Sequence, residues 1–166
     1  MGAVPKESIE FADAAPCRPE GSAVVPATPD AVWAVLTDHS SWPGWFGSGL
    51  KTCVPTSDPP SGVGSTRTVT LQGATKVEEE FIAWDEPSLW AFTATSISPP
   101  AFKRLVERVT IEPVGDDQAR VTYRMAFEPS LPLKPIAPML VKQVSKILTT
   151  AVVNLGAEAA RRAGSA

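Results

Sequence analysis

IAPMLVKQVSKILTTAVVNLGAEAARR, residues 136–162, is the stretch from which the architecture is read. Ile136, Leu140, Val144, Ile147, Leu148, Ala151, Val152, Leu155 and Ala159 recur at spacings of three and four, with Lys142, Gln143, Ser145, Lys146, Thr149 and Glu158 mostly on the remaining face. That pattern is an amphipathic helix with one buried stripe. At 1.5 Å per residue it makes a rod about 40 Å long, enough to cross a curled sheet. Arg161 and Arg162 sit where a helix C-terminus favours cations, and Gly164 supplies a stop. Pro132, Pro135 and Pro138 break the approach to the rod.

Upstream, the periodicity changes from helical to alternating. Strands are predicted at Leu50 to Val54, Thr66 to Leu71, Thr75 to Trp84, Leu89 to Ile97, Arg104 to Val114 and Arg120 to Phe127. Turn residues separate them, among them Pro59-Pro60-Ser61-Gly62-Val63-Gly64, Gln72-Gly73, Asp85-Glu86-Pro87-Ser88, Ser98-Pro99-Pro100 and Gly115-Asp116-Asp117. Short connections without intervening helices imply an antiparallel sheet. Val109 and Ile111 alternate with Thr110 and Glu112, and Val121, Tyr123, Met125 and Phe127 with Arg120, Thr122 and Arg124, so one face is apolar and the other wet.

A further strand is expected over Glu20 to Val25. Thr28-Pro29-Asp30 then carries a helix-starting signal, with a capping hydroxyl, a proline at the first helical position and an acid at the positive dipole end. The helix should run to about Leu36, burying Val32, Val35 and Leu36, with Trp33 as a packing residue beside them. The segment from Asp38 breaks it and brings Trp42, Trp45 and Phe46 close together. Residues 1–19 read as a lead-in arm, in which Ser8 to Phe11 would extend a strand, ahead of a single domain over 20–163.

The chain has 166 residues, 43% of them hydrophobic and 20% charged, with a formal net charge of −3. This is the composition of one globular domain, and it lacks the dense positive surface that nucleic-acid binding draws on. Cys17 and Cys53 are far apart in sequence and His39 is the sole histidine, so no zinc-type metal site or other cofactor is expected. Two reduced thiols are the expected state, with a Cys17–Cys53 disulfide left open. The N-terminus lacks the apolar core of a signal peptide, and no run of 18 uncharged apolar residues marks a membrane span, so a cytoplasmic protein is expected.

Four strings in sequence order carry a resemblance: VPATPDAVWAVLTD from Val25, Trp42-Pro43-Gly44-Trp45, Gly62-Val63-Gly64 and Trp84-Asp85-Glu86-Pro87-Ser88-Leu89. Over about residues 20–162 the chain resembles the polyketide cyclase/dehydrase-like branch of the START and pathogenesis-related allergen superfamily, abbreviated SRPBCC. The resemblance implies an α+β helix-grip fold, in which a curved antiparallel sheet of about seven strands wraps the long C-terminal helix around a deep apolar cavity. It also implies a hydrophobic ligand, such as a lipid, fatty acid or polyketide, and for some members cyclisation of aromatic polyketides.

Candidate site residues follow from alternation and side-chain chemistry. Trp45, Phe46, Trp90, Phe92, Met125, Phe127, Leu140, Val144, Leu148 and Val152 are expected as cavity wall or core. Arg67 and Arg108 are candidate polar anchors for a ligand carbonyl or carboxylate. Tyr123 is in phase with apolar neighbours and faces inward, its hydroxyl needing a partner. The Glu78-Glu79-Glu80 run reads first as solvated surface. Alternation nevertheless separates Glu79 from its neighbours, and an inward carboxylate would be a general acid or base or an arginine partner. Glu79, Tyr123 and Arg67 are therefore the catalytic candidates. His39 reads as a solvated or capping loop histidine. Gly47-Ser48-Gly49 and Gly62-Val63-Gly64 are loop glycines rather than phosphate loops, and Ser96 to Phe102 is placed as a lid.

Three functions remain in view. A carrier of a hydrophobic small molecule leads, a polyketide cyclase or dehydratase follows, and a protein-interaction or toxin-like regulatory module needs no cavity. A monomer or homodimer is compatible with each.

Overall fold

The computed structural model describes residues 2–47 and 49–165. Ser48, the middle of the first glycine loop, lies outside the described residues. The strands are β1 (Gly2–Ala3), β2 (Glu20–Val25), β3 (Leu50–Pro55), β4 (Thr66–Leu71), β5 (Lys76–Asp85), β6 (Leu89–Ser98), β7 (Phe102–Val114) and β8 (Gln118–Pro129). The helices are α1 (Phe11–Ala14), α2 (Pro29–Leu36), α3 (Trp42–Trp45) and α4 (Ala137–Gly164). The sheet is antiparallel in the order β2-β8-β7-β6-β5-β4-β3, with β1 added to β6. This is the helix-grip architecture expected from the pattern of alternation followed by one long helical stripe.

The local signals act as read. Thr28 Oγ1 accepts from the Ala31 amide, and Pro29 opens α2. Gly62 and Gly64 take φ of 99° and 85° in the β3–β4 connection, a backbone that side chains disfavour. Ser8 to Phe11 is the exception. It forms no strand: Phe11 begins a single helical turn that buries Phe11 and Ala12. Between β1 and β2, Phe11, Ala12 and Ala15 lie on the side of the sheet turned away from α4 and pack on Val106 and Ala126. That side is therefore not uniformly wet. Its apolar patch is covered by the chain's own beginning, and β1 pairs with Ser96 and Ile97, beyond the stretch of β6 that pairs with β7.

Helix α4 is seated unevenly. Leu148, Ala151, Val152, Leu155, Gly156 and Ala159 are buried, whereas Ile136 and Met139, at its beginning, are 39% and 54% exposed. Ile136 therefore does not join the buried stripe. Leu131–Gly164 is long and apolar enough by composition to cross a membrane, yet its later half is core helix. Two glycines allow the close seating. A Cβ on Gly21 of β2 would lie 2.2 Å from the Thr149 nitrogen, and one on Gly156 would lie 2.3 Å from the Val25 Cβ. Both are inside van der Waals contact, so strand and helix meet there almost backbone to backbone.

Gly21→Ala is expected to cost more than about 3 kcal/mol in urea unfolding, because the added methyl meets main chain that cannot step aside. Gly156→Ala should cost a similar amount, since the added methyl meets the Val25 Cβ, which its own main chain holds in place. Full stability in the Gly21→Ala protein would show that the seating is not tight.

Candidate functional site

Between the sheet and the first half of α4 lies a cavity of about 210 Å³. Leu50, Val69, Leu71, Val77, Ile97, Leu105, Met125, Val144, Ile147 and Leu148 make its walls predominantly apolar. Ala101 and Phe102, the end of the expected lid, are on the wall too. The Ser130 amide donates to the Ala101 carbonyl, tying this loop to the approach to α4.

Apart from Thr75, the polar residues of the wall are Arg67, Glu79, Glu107 and Tyr123. Strand register brings them together. Arg67 on β4 lies directly opposite Glu79 on β5, and its Nε donates to Glu79 Oε2 at 2.5 Å. A register shift between Glu78 and Glu79 accompanies the turn of this one carboxylate inward, so the solvated reading of the glutamate run fails at its middle member. Glu107 on β7 is opposite Met125, which makes Tyr123 its diagonal neighbour on β8, and the Tyr123 hydroxyl donates to Glu107 Oε2.

Arg67 is only 1% exposed. Its guanidinium carbon lies 4.2 Å from the centre of the Trp42 ring, with Trp90, Phe92 and Phe81 between 5.0 and 5.3 Å away. This aromatic cage replaces part of the hydration that the cation gives up. His39 completes it. Its Nε2 lies 3.2 Å from the Pro60 carbonyl and its Nδ1 3.4 Å from Arg67 Nη1, which fits a neutral ring donating from Nε2 and accepting at Nδ1. Burial and the nearby guanidinium push its pKa down. His39 is thus a buried partner of Arg67, not a solvated loop residue, because the loop folds it inward against Phe81.

Burial, reinforced by the negative charge of Glu79, pushes the Glu107 carboxyl up to about 8. Burial and Glu107 also push the Tyr123 hydroxyl well above its ordinary value. Glu79 is pulled in opposite directions, upward by burial and downward by Arg67. A guanidinium stays protonated, and leaving it buried without a counter-charge would cost several kcal/mol. Glu79, in contact with it, is therefore the ionised carboxylate, and Glu107 holds the proton. Burial pushes the Cys53 thiol up to about 12, so it is no nucleophile at neutral pH. Both cysteines are free and buried.

Of the residues singled out from sequence, Phe46, Arg67, Glu79, Tyr123, Met125, Val144 and Leu148 reach the cavity. Trp90 and Phe92 stand behind it as part of the Arg67 cage. Trp45 is buried against Trp42 and Phe46, Val152 is in the core, and Phe127 lies behind Phe102 with Leu140 in the same cluster. Arg108 is a correction. Alternation on β7 turns it away from α4, where it makes a two-pronged ion pair with Asp13 at 2.8 and 2.9 Å. The same alternation places Glu107 on the inner face with Leu105 and Val109, a signal present in the sequence and missed. Trp42 is a further omission, as are the wall residues Leu50, Val69, Leu71, Val77, Ile97, Leu105 and Ile147.

Two outcomes test this electrostatic arrangement. Arg67→Met should destabilise the fold by about 3–5 kcal/mol by stranding Glu79, and adding Glu79→Leu should recover most of that loss in urea unfolding. Glu107 binds its proton up to about 8 when folded but only to 4.5 ordinarily. The stability linked to it is thus complete below about pH 4 and is lost as pH rises through 8. Glu107→Gln should flatten this fall between pH 5 and 9. His39 gives an opposite slope below its ordinary value, and comparing the variant with the parent protein cancels that contribution.

Residues 16–160 match the family described as polyketide cyclase / dehydrase and lipid transport. Uncharacterised proteins of Mycobacterium tuberculosis and Mycobacterium bovis are 28% identical over 127 residues, 76% of this chain and 75% of theirs. Among solved structures, a START superfamily protein from Mycobacterium smegmatis superposes with a TM-score of 0.67 at 17% identity, covering 82% of this chain and 94% of that one. A truncated norcoclaurine synthase from Thalictrum flavum gives 0.61 at 15% identity, over 81% of this chain and 89% of its own. These structural likenesses concern the fold. With the sequence match spanning strand, cavity and terminal helix alike, the chain belongs to the polyketide cyclase/dehydrase and lipid transport family of START-like, SRPBCC proteins.

Proposed function

We propose that the protein binds a compact hydrophobic small molecule in the cavity between sheet and α4, as a soluble cytoplasmic carrier or sequestering protein. The observation that carries this reading is an apolar hollow, not plugged by the surrounding tryptophans and phenylalanines, with one polar cluster on its wall. Apolar burial at about 25 cal/mol per Å² would supply the affinity, and the cluster would fix orientation. At about 210 Å³ the hollow is smaller than the roughly 300–1,000 Å³ of sites for drug-sized ligands, which favours a one- or two-ring skeleton or short chain over a long acyl lipid. A surface-acting interaction module has no use for such a hollow.

Glu107 supports a second reading, a polyketide cyclase or dehydratase. A carboxyl kept neutral at pH 7 in an apolar site can donate a proton to a substrate carbonyl as an enol forms. Glu107, rather than Glu79, would be that acid, because Glu79 is committed to Arg67. The carrier reading stands first because the cluster holds no uncommitted base: the Tyr123 proton is given to Glu107, and His39 faces Arg67.

Native mass spectrometry of freshly purified protein should reveal a bound apolar mass below that of a diacyl lipid. Calorimetric titration with naphthalene should give saturable binding, weakened at least tenfold by Val144→Trp, which fills the hollow, with little change in melting temperature. Equal binding by the variant would place the guest elsewhere and defeat the carrier reading.

A further inference from the structure

We infer that the guest is electrically neutral, an apolar molecule whose polar group is a carbonyl or hydroxyl oxygen, and that carboxylate-bearing guests such as fatty acids are refused. This rests on the carrier reading and narrows it. The argument is a count of charges on the cavity wall. Among the described residues the wall carries one cation, Arg67, against two carboxyl groups, Glu79 and Glu107. The wall residues from α4 are Val144, Ile147 and Leu148, and those from β6, β7 and their connection are Ile97, Ala101, Phe102 and Leu105 besides Glu107, so no further positive charge faces in.

Arg67 is already paired with Glu79. If the two carboxyls share one proton the cluster is neutral, and if both ionise it carries one negative charge. Neither state offers a spare cation. A carboxylate guest would surrender hydration worth several kcal/mol and meet no uncompensated positive charge in return.

A neutral oxygen meets the opposite situation. Glu107 Oε2 accepts from Tyr123, while its Oε1 has no hydrogen-bond partner among the described residues. In the protonated carboxyl, that free oxygen can present its hydrogen to a guest carbonyl. In the ionised carboxylate, it accepts from a guest hydroxyl. Discrimination of this kind is strong in buried sites because the mismatched partner leaves a polar group unpaired. Near neutral pH the proton on Glu107 makes the carbonyl the favoured guest.

One two-ring skeleton with different head groups tests this: calorimetric titration at pH 7 with naphthalene, 2-acetylnaphthalene, 2-naphthoate and 2-(aminomethyl)naphthalene. The ketone should bind tighter than naphthalene and at least tenfold tighter than the naphthoate. Naphthoate equal to or tighter than the ketone overturns the inference, as does the amine binding tightest, which would mark a negatively charged cluster. If none of the four binds, naphthalene included, the carrier reading itself fails and takes the inference with it. Glu79→Gln releases the guanidinium and should shift the ratio at least tenfold toward naphthoate. Glu107→Gln, which cannot ionise, must keep the ketone ahead of naphthoate at both pH 7 and pH 9, and loss of that order also overturns the inference.

Discussion

Close contact between α4 and β2 at two glycines sets the shape of everything else. Gly21 lets the strand lie against the main chain of Leu148 and Thr149, and Gly156 lets Val25 fill the space a side chain would take. This brings the second half of the rod into the core beside α2 and β8, where small residues such as Ala151 and Ala159 allow close approach. The sheet curls, whereas a helix of 28 residues bends only gently. Seated firmly over Leu148–Ala159, the helix meets the sheet again near its beginning, where Ala137, Leu140 and Val141 pack on the cluster around Leu105 and Phe127. The hollow is the space left between these two contacts, under Val144 and Ile147.

Within that hollow the controlling fact is a buried guanidinium. Arg67 could not be accommodated in an apolar wall by Glu79 alone, since paired ions in the interior still lose hydration. The four aromatic rings around it and the neutral His39 supply the rest of its solvation. Burial, reinforced by the charge of this counter-ion, raises the cost of ionising a second carboxyl nearby, which is why Glu107 keeps its proton. A cation held for its partner is no longer available to a ligand, so the same pair that anchors the wall restricts what can sit against it.

The outer face follows a related logic. Strands β7 and β8 show apolar side chains on both faces, and Val106 and Ala126 would be exposed if the chain began at β2. Phe11, Ala12 and Ala15 cover them, and the segment is fastened at Asp13 to Arg108 and Arg124 and at Phe11 beneath Arg104. Arg108, which looked available to a ligand, is thereby engaged in holding the arm.

Local rules made most of the architecture legible. The 3.6-residue stripe in α4, period-two alternation in β7 and β8, and the Thr28-Pro29-Asp30 start of α2 are written in neighbouring residues, because backbone geometry alone converts spacing into direction. Strict use of alternation would also have found Glu107 and dismissed Arg108. What no spacing expresses is which strands lie side by side and how far the helix stands from them. The pairing of Arg67 with Glu79, the inward turn of His39, the cage around the cation and the size of the hollow all depend on contacts between distant segments. The identities of the polar residues could be read from the chain, but their charges and partners were decided only when folding removed water and set them beside one another.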